Sequence, residues 1–504
     1  MPPILPVIEV AILAIASIPA LRVATKRPVL RDLRTYLPWS AVIVTAGLVV
    51  FGLAVAAAVR WPPVLHVLTG LALVGALGAW LRARPTYGTR RGWPPGSLGV
   101  GQSFDAITRR DYYLEQSRRH GPVFKTSQFG RPVVCLVGLD LARDVLRSDR
   151  LAGAQLPYNR LLPRGSLRYM DPGTHDAEAP FFRSVLSDVD LGLHEPRARE
   201  ACRSALAKLS SASLESPVGA APGEEVRAWV FTALASIFWD LEPTDPRLAA
   251  LDRAQTKLRL SRGGGPRWRR AILHHLEEIN EIARDRAREW SAGGPPASAN
   301  ALAGALAADP GALDKPVRAS NLALVFRLAN GDVTSFMRWL LAQVADHPEW
   351  QQRVREDDGS DIAGRMVQET LRLEQSEYLY REVVRPLEVG DFRVPAGWLL
   401  RVCVQESHRD PRFFPDPDRF DPDRFAGHPR SRREYSPFGV DEHGCMGVSM
   451  VHFLGGIFVE ELCRGYETRV VRDAPPERGS RHRDHWQPGA ARRVRLTPIP
   501  QAGQ

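Results

Sequence analysis

From Leu37 to Val59 the chain runs 23 residues without a charged side chain. About 20 apolar residues suffice for a helix to cross a bilayer, and a water-exposed fold has little use for such a run. A later stretch, Pro62 to Leu81, holds His66 as its only titratable group, and an earlier one, Pro3 to Leu21, carries Glu9 and Pro19, which makes three in chain order. Residues 1–85 therefore read as a membrane module of about three transmembrane helices. A signal peptide fits the first stretch poorly, because Ser17-Ile18-Pro19-Ala20 is a weak cleavage site and two apolar runs follow it. Arg22, Lys26, Arg27, Arg31 and Arg34 lie between the first two stretches, and Arg82, Arg84, Arg90 and Arg91 follow the third. The positive-inside rule then puts everything after Leu81 on the cytoplasmic side of a multi-pass cell-membrane protein. Trp39, Trp61 and Trp80 sit at the ends of the spans, as an interfacial aromatic belt requires.

The net charge of +10 does not indicate nucleic acid, because +6 of it belongs to residues 1–85. In a chain of 504 residues with 44% hydrophobic and 25% charged residues, the rest is expected to be a folded body, residues 86–504. Five scattered cysteines form no CxxC pair, which argues against a disulfide framework or a structural zinc site and for a reducing compartment. Cys135 falls in an alternating, sheet-like segment and reads as core.

Cys445 is different. It ends an aromatic and glycine-rich run, Tyr435 to Gly444, and precedes an apolar, helix-compatible stretch from Val448 to Leu462. A helix N-terminus favours the thiolate form of a cysteine, which is the form that binds metals. A haem iron held by one such thiolate receives electron density that favours O–O cleavage.

Helical periodicity appears at Leu141–Leu146, and breaker-rich loops are expected near Ser210–Gly223, Ser261–Pro266 and Ser291–Pro296. A long helix is expected from about Arg318 to Ala345, closed by Asp346-His347-Pro348. Its middle, Asn330-Gly331-Asp332-Val333-Thr334-Ser335, predicts an interruption, since Asn, Gly and Asp are poor interior residues.

Further on, Glu369 and Arg372 stand three apart on one helical face. Alone, such a pair is usually a solvated surface pair. Here it is followed by Arg381, Pro395-Ala396-Gly397, His408-Arg409-Asp410-Pro411, Pro422-Asp423-Arg424-Phe425 and the cysteine loop from Phe438 to Gly447. With His347-Pro348-Glu349-Trp350 and the 330–335 segment, this ordered set resembles the cytochrome P450 family over about residues 86–504. The resemblance implies a mainly α fold with small β-sheets, here preceded by transmembrane helices, and haem b as cofactor.

The resemblance also implies roles. Cys445 is the expected axial ligand of the haem iron, with Phe438 packed beneath the thiolate side. Glu369, Arg372 and Arg424 form the expected structural triad; the Arg419 copy of Pro-Asp-Arg-Phe is set aside because Phe420-x-Pro422-x-Arg424-Phe425 matches the family frame. Haem propionates are assigned to His443 and Arg381, with His175 and Arg183 as further cations. Thr334 is expected to position protons, with Asp332 as the nearest acid. Substrate contacts are expected from Tyr158–Tyr169, Phe326, Asn330, Ser376–Tyr380 and His485–Trp486. Two departures stand out. Asp441 replaces the loop glycine four before the cysteine, and Val333 replaces the acid before the threonine.

The implied function is a haem-thiolate monooxygenase that hydroxylates or epoxidises an apolar small molecule, such as a terpenoid, polyketide or lipid, in bacterial secondary metabolism. Electrons would come from a ferredoxin and its reductase, docked on Arg430, Arg432 and Arg433; a solvated charge run explains those arginines equally well. Two alternatives stay open: atypical chemistry on the same fold (oxidative coupling or cyclisation, peroxygenation, isomerisation), which Val333 favours, and a non-catalytic membrane haem protein.

Overall fold

The computed structural model describes Val67 and residues 92–128, 131–154, 172–187, 189–260, 266–294, 302, 306, 311, 313, 316–357, 359–374, 379–427, 429–439, 444–478 and 486–500. The expected spans within residues 1–85, Val67 apart, lie outside that set, as do His443, Asp441 and the segment Tyr158–Tyr169. Among the described residues no helix is long and apolar enough to cross a membrane.

Helices α1 (Val100–Thr108) and α2 (Tyr112–His120) lead into strands β1 (Val123–Gln128) and β2 (Arg131–Leu136), then α3 (Leu139–Leu146) and β3 (Leu151–Gly153). A run of helices follows: α4 (Pro172–Ser187), α5 (Glu195–Glu215), α6 (Gly223–Trp239), α7 (Pro246–Leu260), α8 (Pro266–Gly293), α9 (Pro316–Asp346), α10 (Pro348–Arg355) and α11 (Ile362–Leu373). Strands β4 (Leu379–Val383), β5 (Leu387–Val389), β6 (Phe392–Val394) and β7 (Leu399–Val402) come next. The short α12 (Val404–Ser407), α13 (Val448–Gly465) and strands β8 (Tyr466–Arg472), β9 (Glu477–Arg478), β10 (Trp486–Gln487) and β11 (Arg493–Pro498) complete the order. This is the mainly α architecture with small sheets that the motifs imply.

The largest sheet has the order β1-β2-β7-β4-β3, with β2 parallel to β7 and the other pairs antiparallel. Cys135 is buried in β2, as its position predicts. Helix α6 is buried on nearly every side, so its sequence, apolar all round, belongs to the centre of the helical layer. Helix α9 packs against α6, α8, α11 and α13.

Two expectations need revision, because side chains of poor helix formers find partners inside the fold: the loop expected near Ser210–Gly223 is confined to residues 216–222, and the interruption of α9 is absent. The serines near 210 do not open a loop, because α5 continues to Glu215. Ser210 Oγ donates to the Leu496 carbonyl at 2.8 Å, and Ser213 Oγ accepts the Leu496 N–H at 3.0 Å, so both are taken up by β11. Similarly, α8 runs on through Ser291 to Gly293. Nor is α9 interrupted at 330–335. Asn330 Nδ2 donates back to the Phe326 carbonyl at 2.9 Å, and Thr334 Oγ1 to the Asn330 carbonyl at 2.6 Å. These i to i−4 bonds keep polar side chains within the helix's own turn.

Candidate active site

The site is organised from α11 outward. Asp361 caps this helix, its carboxylate accepting the Gly364 N–H at 3.0 Å. Glu369 and Arg372 lie on its buried face, both with 0% exposure. Arg372 donates to the two Glu369 oxygens at 2.6 and 2.7 Å. Its remaining N–H groups go to the carbonyls of His408 (2.9 Å), Pro417 (2.7 Å) and Arg419 (3.2 Å). All five guanidinium donors are thereby used, which a lysine with three donors at one atom cannot reproduce. Glu369 also accepts the Asp421 N–H at 2.9 Å, and Arg424 Nε lies 3.3 Å from Glu369 Oε1. That last contact is an ion pair without hydrogen-bond geometry; the Arg424 Nη groups bond instead to the carbonyls of Pro415 and Asp416. The arginine copy at 419 contributes only its carbonyl.

His408 connects this cluster to the cysteine loop. Its ring nitrogen Nε2 accepts the Ser436 N–H at 2.9 Å. Burial, and then the neighbouring Arg372 charge, push its pKa down to about 3, so the ring is the neutral acceptor that the bond needs. Tyr435, just before Ser436, donates its hydroxyl to the Gln368 carbonyl at 2.8 Å. Ser436 Oγ closes on the Gly439 carbonyl at 2.6 Å, and Gly439 turns with φ +90°. The loop returns through the Cys445 N–H, which donates to the Phe438 carbonyl at 2.8 Å. Cys445 is exposed, at the entry to α13, and its Sγ accepts the Gly447 N–H at 3.3 Å. Phe438 packs edge-on to His452 of α13, centroids 5.6 Å apart. The sequence exposed the motif around His408 but not this linking role.

Helix α9 turns a definite face to α13. Phe336 approaches Gly455 so closely that a Cβ there would lie 3.4 Å from the Phe336 ring and 2.7 Å from Val367 Cγ2. Asp332, four residues before Phe336, is about 40° from it around the helix, whereas Thr334 is about 160° away. Thr334 is thus turned from the face that meets α13, and its hydroxyl is occupied by Asn330. Asp332 lies nearer than Thr334 to the side of α9 that meets α13. Phe326 and Asn330 are buried on the opposite flank, Phe326 among Phe231, Phe238 and Trp239. Phe326 belongs to the hydrophobic core. Tyr380 is likewise buried, its hydroxyl shared between Gln128 and Arg401. Ser376–Tyr378 and His485 lie outside the described residues, and the Trp486 carbonyl accepts the Trp339 indole N–H at 2.9 Å.

Among the expected propionate cations, Arg381 lies half-buried on β4, opposite Leu400 of β7 and Gly153 of β3, and donates to the Tyr380 carbonyl at 2.9 Å. His175 is buried on α4, but Arg183 is exposed, eight residues and about 80° round the helix, so the structure does not bring the two together.

The family model for Cytochrome P450 matches residues 331–479, which contain every element of this loop and its support. Abscisic acid 8'-hydroxylase 2 of Arabidopsis thaliana is 26% identical over 81% of this chain and 90% of its own length. Abscisic acid 8'-hydroxylase 3 of Oryza sativa subsp. indica is 26% identical over 75% of this chain and 82% of its own. The chain belongs to the cytochrome P450 family. Retinoic acid bound cyanobacterial CYP120A1 shares the P450 fold with a TM-score of 0.66 at 21% identity, covering 81% of this chain and all of that one. CYP109Q5 from Chondromyces apiculatus does so with 0.61 at 20%, covering 78% and 97%. As a cytochrome P450 the protein is a monooxygenase that binds haem b. The residues present fit that group: an accessible thiol stands at a helix entry, and the Gly447 N–H donates to its sulfur. Hydrogen bonds to a thiolate and its exposure are the levers by which a protein tunes such a metal centre.

Proposed function

We propose that Cys445 is the axial thiolate of this P450 and that the enzyme inserts one oxygen atom into a C–H bond or alkene of an apolar small molecule. The carrying observation is the continuous support from Glu369 and Arg372 through His408 and Ser436 to the Cys445 loop. When bound, haem supplies the oxygen activation. The chain's part is to hold the thiolate with the Gly447 N–H, to seat Phe438 beneath it and to offer Arg381, with His443 and His175, to the propionates. Of the two α9 residues expected to handle protons, Asp332 lies nearer the side turned to α13, which supports it over Thr334 as the proton-handling group. The named relatives act on abscisic acid, and a structural neighbour was solved with retinoic acid. Both names support a small apolar substrate here, of terpenoid size and character. Residues 1–85 would tether the body to the cytoplasmic side of a membrane, giving such a substrate access from the bilayer.

Ferredoxin and its reductase are proposed as electron donors. Of the three arginines considered for docking, Arg430 is committed to the Phe413 and Arg424 carbonyls and Arg433 to Asp144, which leaves Arg432 as the exposed contact. A reduced, CO-bound spectrum tests the central assignment: the thiolate band is expected in the wild type and absent in Cys445→Ala, and its persistence in the variant would refute it. The displacement of Thr334 from the facing side supports a second reading, atypical P450 chemistry. Product formed per NAD(P)H and O2 consumed separates the two.

A further inference from the structure

Helices α7 and α8 pack against each other and are joined by five residues, so the end of one and the start of the other lie together. Seven Lys or Arg and no Asp or Glu fall between Arg253 and Leu276, more than the +4 left to residues 86–504 once the first 85 are set aside. Lys257 and Arg259 stand in the last four residues of α7, and Arg267, Arg269 and Arg270 in the first five of α8. The helix dipole favours cations at a C-terminus and opposes them at an N-terminus. Helices α2, α3, α5, α6 and α10 each carry an acid in the first turn, whereas α8 has none. Leu273 lies three residues beyond Arg270, about 60° round α8, and is 41% exposed. Arg270 and His274 beside it are exposed too. Cations set against the dipole at a helix start, next to an exposed leucine, suit a helix end that rests on an anionic bilayer.

The entry of the chain into the body keeps such a bilayer within reach. The Gly92 carbonyl accepts the Arg393 N–H at 2.6 Å, and the Pro95 carbonyl accepts the Lys125 N–H at 2.7 Å. Trp93 between them packs edge-on to Trp398, centroids 5.1 Å apart. The chain is thus fixed to the body from Gly92 on. From Leu81, where the last apolar stretch ends, an extended chain reaches Gly92 over at most about 40 Å. A tether that short gives the body a high effective concentration at the lipid surface. We propose that the α7–α8 end makes a second contact with the membrane, through its cations and Leu273, on anionic phospholipid. The inference rests on the reading that residues 1–85 tether the body.

The test uses the full-length holoenzyme in nanodiscs of phosphatidylcholine containing a tail-brominated lipid, with or without phosphatidylglycerol. A bimane label is placed at Leu273→Cys or, as a control, at Val218→Cys, an exposed position in the loop after α5. Bromine quenching of the 273 label is expected where phosphatidylglycerol is present, with none at 218, and added salt should weaken it. The triple variant Arg267→Glu/Arg269→Glu/Arg270→Glu should lower quenching at 273 by about fivefold or more, because one cation near an anionic surface is worth about fivefold in affinity. That variant should keep the reduced, CO-bound band and its melting temperature, since acids suit a helix N-terminus. No quenching at 273, equal quenching at 273 and 218, no dependence on phosphatidylglycerol, or unchanged quenching in the triple variant would each overturn the proposal. So would shielding of the 273 label by a ferredoxin in place of lipid, which would give the surface to an acidic protein. The tether has its own readout: full-length protein that stays in solution without detergent refutes it. Quenching of the 273 label by phosphatidylglycerol vesicles would then still uphold the α7–α8 contact, and its absence would overturn both.

Discussion

The imidazole of His408 accepts the backbone N–H of Ser436 at 2.9 Å, across 28 residues of chain. One side of this histidine, its carbonyl, belongs to the Arg372 cluster, and the other, its ring, holds the start of the cysteine loop. The bond exists only while the ring is neutral.

That requirement gives a pH dependence. The folded pKa of His408 is depressed to about 3 from 6.5, so between these values the unfolded chain binds the proton that the folded chain refuses. Stability from this group is complete above about pH 6.5 and is lost as the pH falls toward 3. Urea titrations at pH 7.5 and 5 should show a lower midpoint at pH 5. In His408→Phe the part of that shift owed to this ring should vanish, while the baseline drops by about 1–3 kcal/mol for the orphaned Ser436 N–H.

Arg372→Lys is expected to fail almost as badly as Arg372→Ala. Either leaves Glu369 buried at 0% exposure with its bidentate partner gone. Breaking such a pair costs about 3–5 kcal/mol. Thermal melts and the haem content of purified protein measure it; a lysine variant with wild-type haem content would contradict the five-donor account.

Thr334→Val should leave product formation per NAD(P)H within about twofold of wild type, because its hydroxyl serves the helix. Asp332→Asn should lower turnover by about 10²–10⁴-fold, the range for a lost proton-transfer group, with substrate binding retained. The reverse ranking would restore Thr334 as the proton-positioning residue.

Gly455→Ala should cost about 1–3 kcal/mol by overpacking, since its Cβ would meet Val367 Cγ2 at 2.7 Å. In the double variant with Val367→Ala, much of that loss should return, and a double-mutant cycle by chemical denaturation reads the coupling. Strict additivity would show that the contact is not what fixes the α11–α13 approach.

Much of the site could be read from sequence because its parts are tied to local order. Glu369 and Arg372 share a face by helical spacing alone, and Cys445 precedes a helix whose apolar run ends near where α13 ends. What could not be read depends on angles and on distant partners. Thr334 matched a linear pattern, but its direction is set by which side of α9 meets α13, a tertiary fact carried by Phe336 and Gly455. The serines at 210 and 213 look like loop formers until β11, some 280 residues later, supplies their hydrogen bonds.

The carbonyl acceptors of Arg372 all lie downstream, at His408, Pro417 and Arg419, with Asp421 closing on Glu369. The scaffold around the cysteine is therefore drawn from one contiguous stretch, from the cap at Asp361 to the end of α13, closed by loops of a few dozen residues. Loop-closure entropy rises only slowly with such lengths. The support of the ligand loop can then assemble from contacts within that one stretch of the chain.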